Sequence, residues 1–167
     1  MLPTTFLPVD LHRWDRGPAA DALVVPVWTD VRPLRGAAGV LDWRLCGRLS
    51  QLLREGRLCG TPGEKLLLAT NRIPWQRVLA VGVGDSQSFD EASFRRAIAC
   101  CLEALRRLGG NSLAIALPGR DIDLIRPDRA MRGFLDALAQ SEREVGPWLA
   151  RLTVIDTVSS AKSLVSA

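Results

Sequence analysis

Apolar residues along this chain come in two spacings, and the alternation between them predicts the order of elements. Residues 21–28, DALVVPVW, form a nearly continuous β-branched apolar run, the pattern of a strand buried on both faces. The segment TTFLPVDLH (4–12) reads as an earlier strand, and TDVRPLRGAAG after the second strand as a loop. From Gly39 to Arg57 the spacing becomes helical. Leu41, Leu45, Leu49, Leu52 and Leu53 share one face, with Arg44, Arg48, Gln51 and Glu55 away from it. Two more strands are predicted at 64–71 and 77–84, joined by the short connection RIPWQ. A second helix runs from Phe89 to Leu108, with Phe94, Ile98, Cys101, Leu102 and Leu105 as its stripe and Gly109-Gly110 as its stop. Ser88 and Glu91 have the spacing of a capping box at its start. SLAIALP (112–118) predicts another buried strand, and RLTVIDTV (151–158) a closing one. Between them residues 127–145 predict a third helix, opened by Pro127, with Met131, Phe134, Leu135 and Leu138 inward.

Strands alternating with helices specify an α/β domain whose largely parallel sheet is covered on both faces. Early strands joined without helices add antiparallel pairing. The expected fold is therefore a single three-layer domain over 1–158 with a mixed, mostly parallel sheet between helices. Residues 159–167 read as a loose tail, and no internal repeat or interdomain linker interrupts the rest.

Composition narrows the function classes. No apolar run approaches the roughly 18–20 residues of a membrane helix. The amino terminus lacks the basic segment, long apolar stretch and small-residue cleavage site of a secretory signal, so a cytoplasmic location is expected. Cys46, Cys59, Cys100 and Cys101 make neither a C-x-x-C pair nor a disulfide framework. Cys46 and Cys101 fall on apolar helical faces, where a thiol serves as a small hydrophobe. The net charge of +4 comes almost wholly from arginine, since Lys65 and Lys162 are the lysines. These arginines alternate with Asp and Glu along the helices, the pattern of a solvated surface. Nucleic acid is the less favoured partner, and it would require Arg95, Arg96, Arg106 and Arg107 to converge on one face.

The stretch RVLAVGVGDSQSFDE poses the sharpest question about chemistry. A dinucleotide turn needs G-x-G-x-x-G, but Gly82 and Gly84 are followed by Gln87 at the third position. Asp85 would also set like charge against a phosphate. No Gly-Lys-Ser/Thr occurs, and neither a metal-ligand cluster nor a nucleophile elbow is present. His12 is the one histidine and lies in a polar stretch, while Asp121 and Asp123 sit in the loop after a buried strand. The segment PLRGAAGVLDWRL (33–45) is the candidate ligand loop. It joins a strand end to a helix start, where backbone N–H groups can hold an anion. Gly36 and Gly39 allow close approach, Arg35 can pair with a phosphate or carboxylate, and Asp42 near the helix start complements the helix dipole.

Three segments together carry a resemblance. DALVVPVW, RPLRGAAGVLDWRLCGRLSQLLREGRLCGTPGEKLLL and RVLAVGVGDSQSFDEASFRRA are similar to the amino-terminal domain of the leucyl aminopeptidase family of cytosolic metallo-exopeptidases. The likeness covers residues 20–118 and implies a macro-domain-like fold. It also implies that the metal ions, catalytic lysine and N-T-D-A-E-G-R signature of the full enzymes belong to a further domain that these residues do not include. The wider macro-domain family binds ADP-ribose over glycine-rich loops. Here VWTDVRP stands where an Asn-rich stretch is expected, and GRDIDLI where a glycine-rich turn is expected.

The reading that follows is a non-catalytic accessory domain, without cofactor or metal, that acts through protein contacts or oligomer assembly. An anion- or ADP-ribose-like nucleotide-binding module using Arg35, Gly36, Gly39 and Asp42 is the alternative. Trp75 and Trp148, near element ends, are the candidate interface residues, because tryptophan is enriched at binding hot spots.

Overall fold

The computed structural model describes residues 1–75 and 77–157. The expected tail at 159–167, and the end of the domain at residue 158, lie outside the described residues. The described residues form, in order, β1 (Thr4–Pro8), α1 (Leu11–Trp14), β2 (Ala22–Trp28), α2 (Gly36–Arg44), α3 (Arg48–Arg54), β3 (Lys65–Ala69), β4 (Arg77–Gly84), α4 (Glu91–Arg107), β5 (Ser112–Ala116), α5 (Pro127–Val145) and β6 (Arg151–Asp156). The strands form one mixed sheet in the order β1-β6-β5-β2-β4-β3. All neighbours are parallel except the edge pair β3–β4. That antiparallel pair is the one joined without a helix, as loop length demands.

The alternation of side chains across the sheet builds two cores. Val24, Val81, Ile115 and Val154 face α4 and α5, where they meet Ile98, Leu102, Leu105 and Phe134. Val25, Ala80, Ala114 and Ile155 face the other way, beneath α2 and α3, with Leu41, Leu49 and Leu52. The central strand β2 is buried at every position, as its unbroken apolar run requires.

Several local expectations change. Residues 9–14 turn into the short helix α1, whose amino terminus is capped by Asp10, instead of prolonging β1. The long helix expected over 39–57 is two helices. Cys46 takes a left-handed conformation at φ 55°, Gly47 N–H donates to the Asp42 carbonyl at 2.8 Å, and Cys46 N–H donates to the Trp43 carbonyl at 3.1 Å. These two bonds form a Schellman motif that ends α2. The turn also carries Cys46 out to an exposed position, off the apolar face. At α4, Asp90 is the cap in place of Ser88, accepting from Ser93 N–H at 2.8 Å. On α5, Phe134 and Leu138 point inward as expected, but Leu135 is exposed.

Candidate functional site

Five strands run parallel, so the carboxyl ends of β2, β4, β5 and β6 share one edge of the sheet, where ligands of open α/β folds bind. In this chain that edge is filled. Trp28, the last residue of β2, is buried and meets the Phe89 ring edge-on, with centroids 4.8 Å apart. Val83 and Ala97 complete this small cluster, and Val31 and Ile122 pack against it. The Trp28 indole N–H donates to Asp121 Oδ2 at 2.7 Å, while Asp121 Oδ1 is buried with no hydrogen-bond partner. Burial pushes the Asp121 carboxyl above its ordinary value, although the Trp28 bond acts the other way.

The candidate ligand loop meets the same edge. Gly36 has φ 57°, and a Cβ there would lie 2.8 Å from the Asp121 Cβ. Asp121 therefore takes up the space beside the start of α2. Arg35 is exposed at the amino-terminal cap position and gives no side-chain cap. A Cβ on Gly39 would lie 2.5 Å from the Leu34 carbonyl oxygen, so that side of the glycine is closed by the chain, while the residue also borders a surface depression with Asp42. Asp42 is near the end of α2, about 9 Å along the axis from Gly36 at 1.5 Å per residue. Its carboxylate accepts from Ser50 N–H at 3.0 Å and Ser50 Oγ at 2.5 Å. That satisfies the start of α3, whose own cap residue Gly47 offers no side chain. The four residues thus do not converge on one anion, and Asp42 is a capping residue.

The glycine turn of β4 is equally occupied. A Cβ on Gly82 would stand 2.0 Å from the Thr61 carbonyl oxygen, because the loop 59–64 lies across the end of the strand. Glu64 fixes that loop by accepting from Cys59 N–H at 2.9 Å and Gly60 N–H at 2.6 Å. Gly84 N–H donates to the Gly60 carbonyl at 2.9 Å. The two glycines serve backbone packing.

Other side chains singled out by sequence lie apart. Asp123 is exposed and forms an ion pair with Arg120 at 3.4 Å. Arg120 itself is buried with Asp156, its Nε 2.8 Å from Oδ2. His12 is exposed in α1. The structure puts Trp75 in the core at 0% exposure, against Trp14 and with its indole N–H on the Pro18 carbonyl at 3.1 Å, so it presents no binding surface. Trp148 is half-buried against the α4–α5 core and donates to Ser141 Oγ at 3.3 Å. Along α4, Arg95 and Arg107 are ion-paired with Glu91 and Glu103. Among the described residues, no group of three or more His, Cys, Asp or Glu could hold a metal ion, and no helix is long and apolar enough to cross a membrane.

One residue that sequence reasoning passed over stands out. Trp43 is 75% exposed, at the rim of a depression of about 890 Å³ lined by Pro33, Leu34, Asp42, Cys46 and Arg72 among others. Its signal was present: Trp43 falls off the leucine stripe of α2, on the solvent side. A second depression of about 470 Å³ lies between α4 and α5, with Phe89, Phe94 and Ile125 beside Arg95, Arg129 and Arg132.

The family model for the cytosol aminopeptidase family, N-terminal domain, matches residues 24–140. This chain belongs to that family. Among its relatives, a probable cytosol aminopeptidase of Methylobacillus flagellatus is 36% identical over 113 residues, covering 67% of this chain and 22% of the relative. One from Pseudomonas syringae pv. tomato is 32% identical over 122 residues, covering 72% and 25%. The chain therefore spans about a quarter or less of the length of these aminopeptidases, and the match falls on their N-terminal domain. Solved structures agree on the fold. A Trypanosoma brucei macrodomain in complex with ADP superposes with a TM-score of 0.72 at 19% identity, covering 96% of this chain and 66% of that one. Tomato leucine aminopeptidase (a K354E mutant) superposes at 0.65 with 15% identity, covering 98% and 35%. The family's N-terminal domain is thus a macrodomain-like, three-layer α/β fold in this chain too.

Proposed function

We propose that this chain acts as a non-catalytic domain of the cytosol aminopeptidase family, working in the cytoplasm through protein–protein contacts. The observation that carries the reading is the exposed indole of Trp43 beside an open depression, on a surface that the fold leaves uncovered. A large exposed aromatic next to a concavity is the anatomy of a binding hot spot. Among the described residues, the sheet edge is filled by packed side chains such as Trp28 and Phe89, which supports a role for the outside of the domain.

The test is capture of the tagged chain from its own cell lysate after nuclease treatment, in parallel with a Trp43→Asp variant. A stoichiometric protein retained by the wild type and lost by the variant supports the proposal. Equal recovery with both, or no protein with either, overturns it. Anion or nucleotide binding is the second reading, because the Trypanosoma brucei neighbour is in complex with ADP. The Trp28–Asp121 contact argues against it, since an anion beside Gly36 would meet a carboxyl group. Titration with ADP-ribose by calorimetry is expected to give no heat of binding.

A further inference from the structure

β3 ends the sheet, and its outer edge carries a pattern that pairs with itself. Its register sets Leu66 opposite Ala80 and Leu68 opposite Val78, and Gly82 N–H donates to the Glu64 carbonyl at 2.8 Å. Even-numbered residues are therefore the hydrogen-bonded partners of β4, and the N–H and C=O groups of Lys65, Leu67 and Ala69 turn outward. The side chains of these three residues are exposed, with Leu67 at 47%, while Leu66 and Leu68 pack against the core beneath α2 and α3. Proteins usually blunt such an edge with short strands, lysine, proline or bulges. In KLLLA the single charge is Lys65, and its ladder with β4 runs without a register shift.

We propose that β3 pairs antiparallel with β3 of a second copy of this chain, about a dyad at Leu67, joining two six-stranded sheets into one. That register sets Leu67 against Leu67 and Lys65 against Ala69 of the second copy. All three outward-facing residues then exchange backbone hydrogen bonds in the manner of an antiparallel pair. The exposed leucines cover one another, and the two lysines stand about 13 Å apart, four residues along the strands. A dyad at Lys65 would instead put two ammonium groups face to face, which disfavours that register. A single short strand on each side buries less than the roughly 800 Å² per partner of a standard interface, so the dimer is weak and depends on concentration. The inference rests on the strand edge and not on the Trp43 surface.

Sedimentation velocity of the full chain from micromolar to millimolar concentration tests it, with circular dichroism to confirm that each variant folds. The wild type is expected to show a monomer–dimer equilibrium. Ala69→Glu sets a carboxylate opposite each Lys65 and is expected to tighten the dimer about two- to tenfold. Lys65→Glu combined with Ala69→Glu opposes like charges at both ends and is expected to weaken it about as much. Trp43→Asp is expected to leave the dissociation constant unchanged, which separates this result from the reading above. Hydrogen exchange on the wild type gives a readout free of any substitution: amides of Leu67 and Ala69 gain protection as concentration rises. A chain that stays monomeric throughout, a dimer indifferent to the charge variants, or amides whose exchange ignores concentration overturns the proposal.

Discussion

Replacing Asp156 by leucine removes the buried counter-charge of a guanidinium that has almost no access to water, leaving it the exposed carboxylate of Asp123 at 3.4 Å. Arg120 and Asp156 have side-chain exposures of 8% and 5%, and they meet through Nε–Oδ2 at 2.8 Å and Nη2–Oδ1 at 3.2 Å. Arg120 Nη1 also donates to the Ile125 carbonyl at 2.6 Å, so one side chain ties the end of β6 to the loop that leads into α5. Removing one partner of a buried ion pair costs about 3–5 kcal/mol, because the other charge remains desolvated. For a chain of this length each kcal/mol moves the melting temperature by roughly 2–4 °C. Asp156→Leu is therefore expected to melt about 6–20 °C below the wild type, and Arg120→Met to fall in the same range. Replacing both by apolar residues removes both charges together, which in buried pairs is often close to neutral. Urea unfolding followed by circular dichroism, on both single variants and the double, gives the coupling directly, provided the slope with urea is unchanged. If the double variant loses the sum of the singles, or either single loses less than about 1 kcal/mol, the pair does not hold this corner together.

Further outcomes follow from other residues. Asp121→Asn keeps an acceptor for Trp28 and removes a buried ionisable group. Since the folded carboxyl is shifted upward, the wild type loses stability as pH rises above the unfolded value of about 3.9. The variant is thus expected to melt higher at pH 7 and to show no advantage below about pH 4. Asp90 has the opposite sign: the Ser93 N–H holds its carboxyl below the ordinary value, so Asp90→Ala is expected to destabilise at pH 7, an effect that fades in acid. Thr153→Val removes a buried hydroxyl that has no partner and is expected to stabilise by about 1 kcal/mol in urea unfolding. Native thiol titration with a disulfide reagent is expected to show two fast groups, Cys46 and Cys59, with Cys100 slower and Cys101 protected until unfolding. Burial pushes the Cys101 thiol far up, which keeps it from ionising.

Long periodic segments were the legible part of this sequence. The third helix has the boundaries its pattern predicts, Pro127–Val145, because proline sets its start and a strong apolar stripe its length. The central strand was equally plain, since a β-branched run without polar breaks fits only a doubly covered position. The break between α2 and α3 was harder to read. It depends on Cys46 accepting a left-handed conformation that usually falls to glycine, with Asp42 then capping the following helix. The destinations of the tryptophans were not legible, for a related reason. Trp75 is buried because Pro18, 57 residues earlier, brings a carbonyl to its indole, and no local pattern encodes such a meeting. Trp43 needed the reverse inference, from a large apolar residue on the wrong face of a helix to an exposed surface. The glycines of β4 show why a motif needs its surroundings, because the loop that fills their space lies some twenty residues upstream.

The sheet order also sets a timetable. β1 bonds to β6, with Phe6 paired to Val154, so within this sheet the strand made first waits for the strand made 143 residues later. At ribosomal rates of roughly 5–20 residues per second, Pro8 has been made about 7–30 s before Arg151 arrives. During that interval β2, β4, β5 and the helices between them can already close most of both cores, since β2 bonds to β4 and β5. Folding in step with synthesis would give a four-stranded stage with β5 as a temporary border and the first segment adrift. Whatever guards the nascent protein from misassociation has to shield that border until the sixth strand slides in and the first one docks beside it.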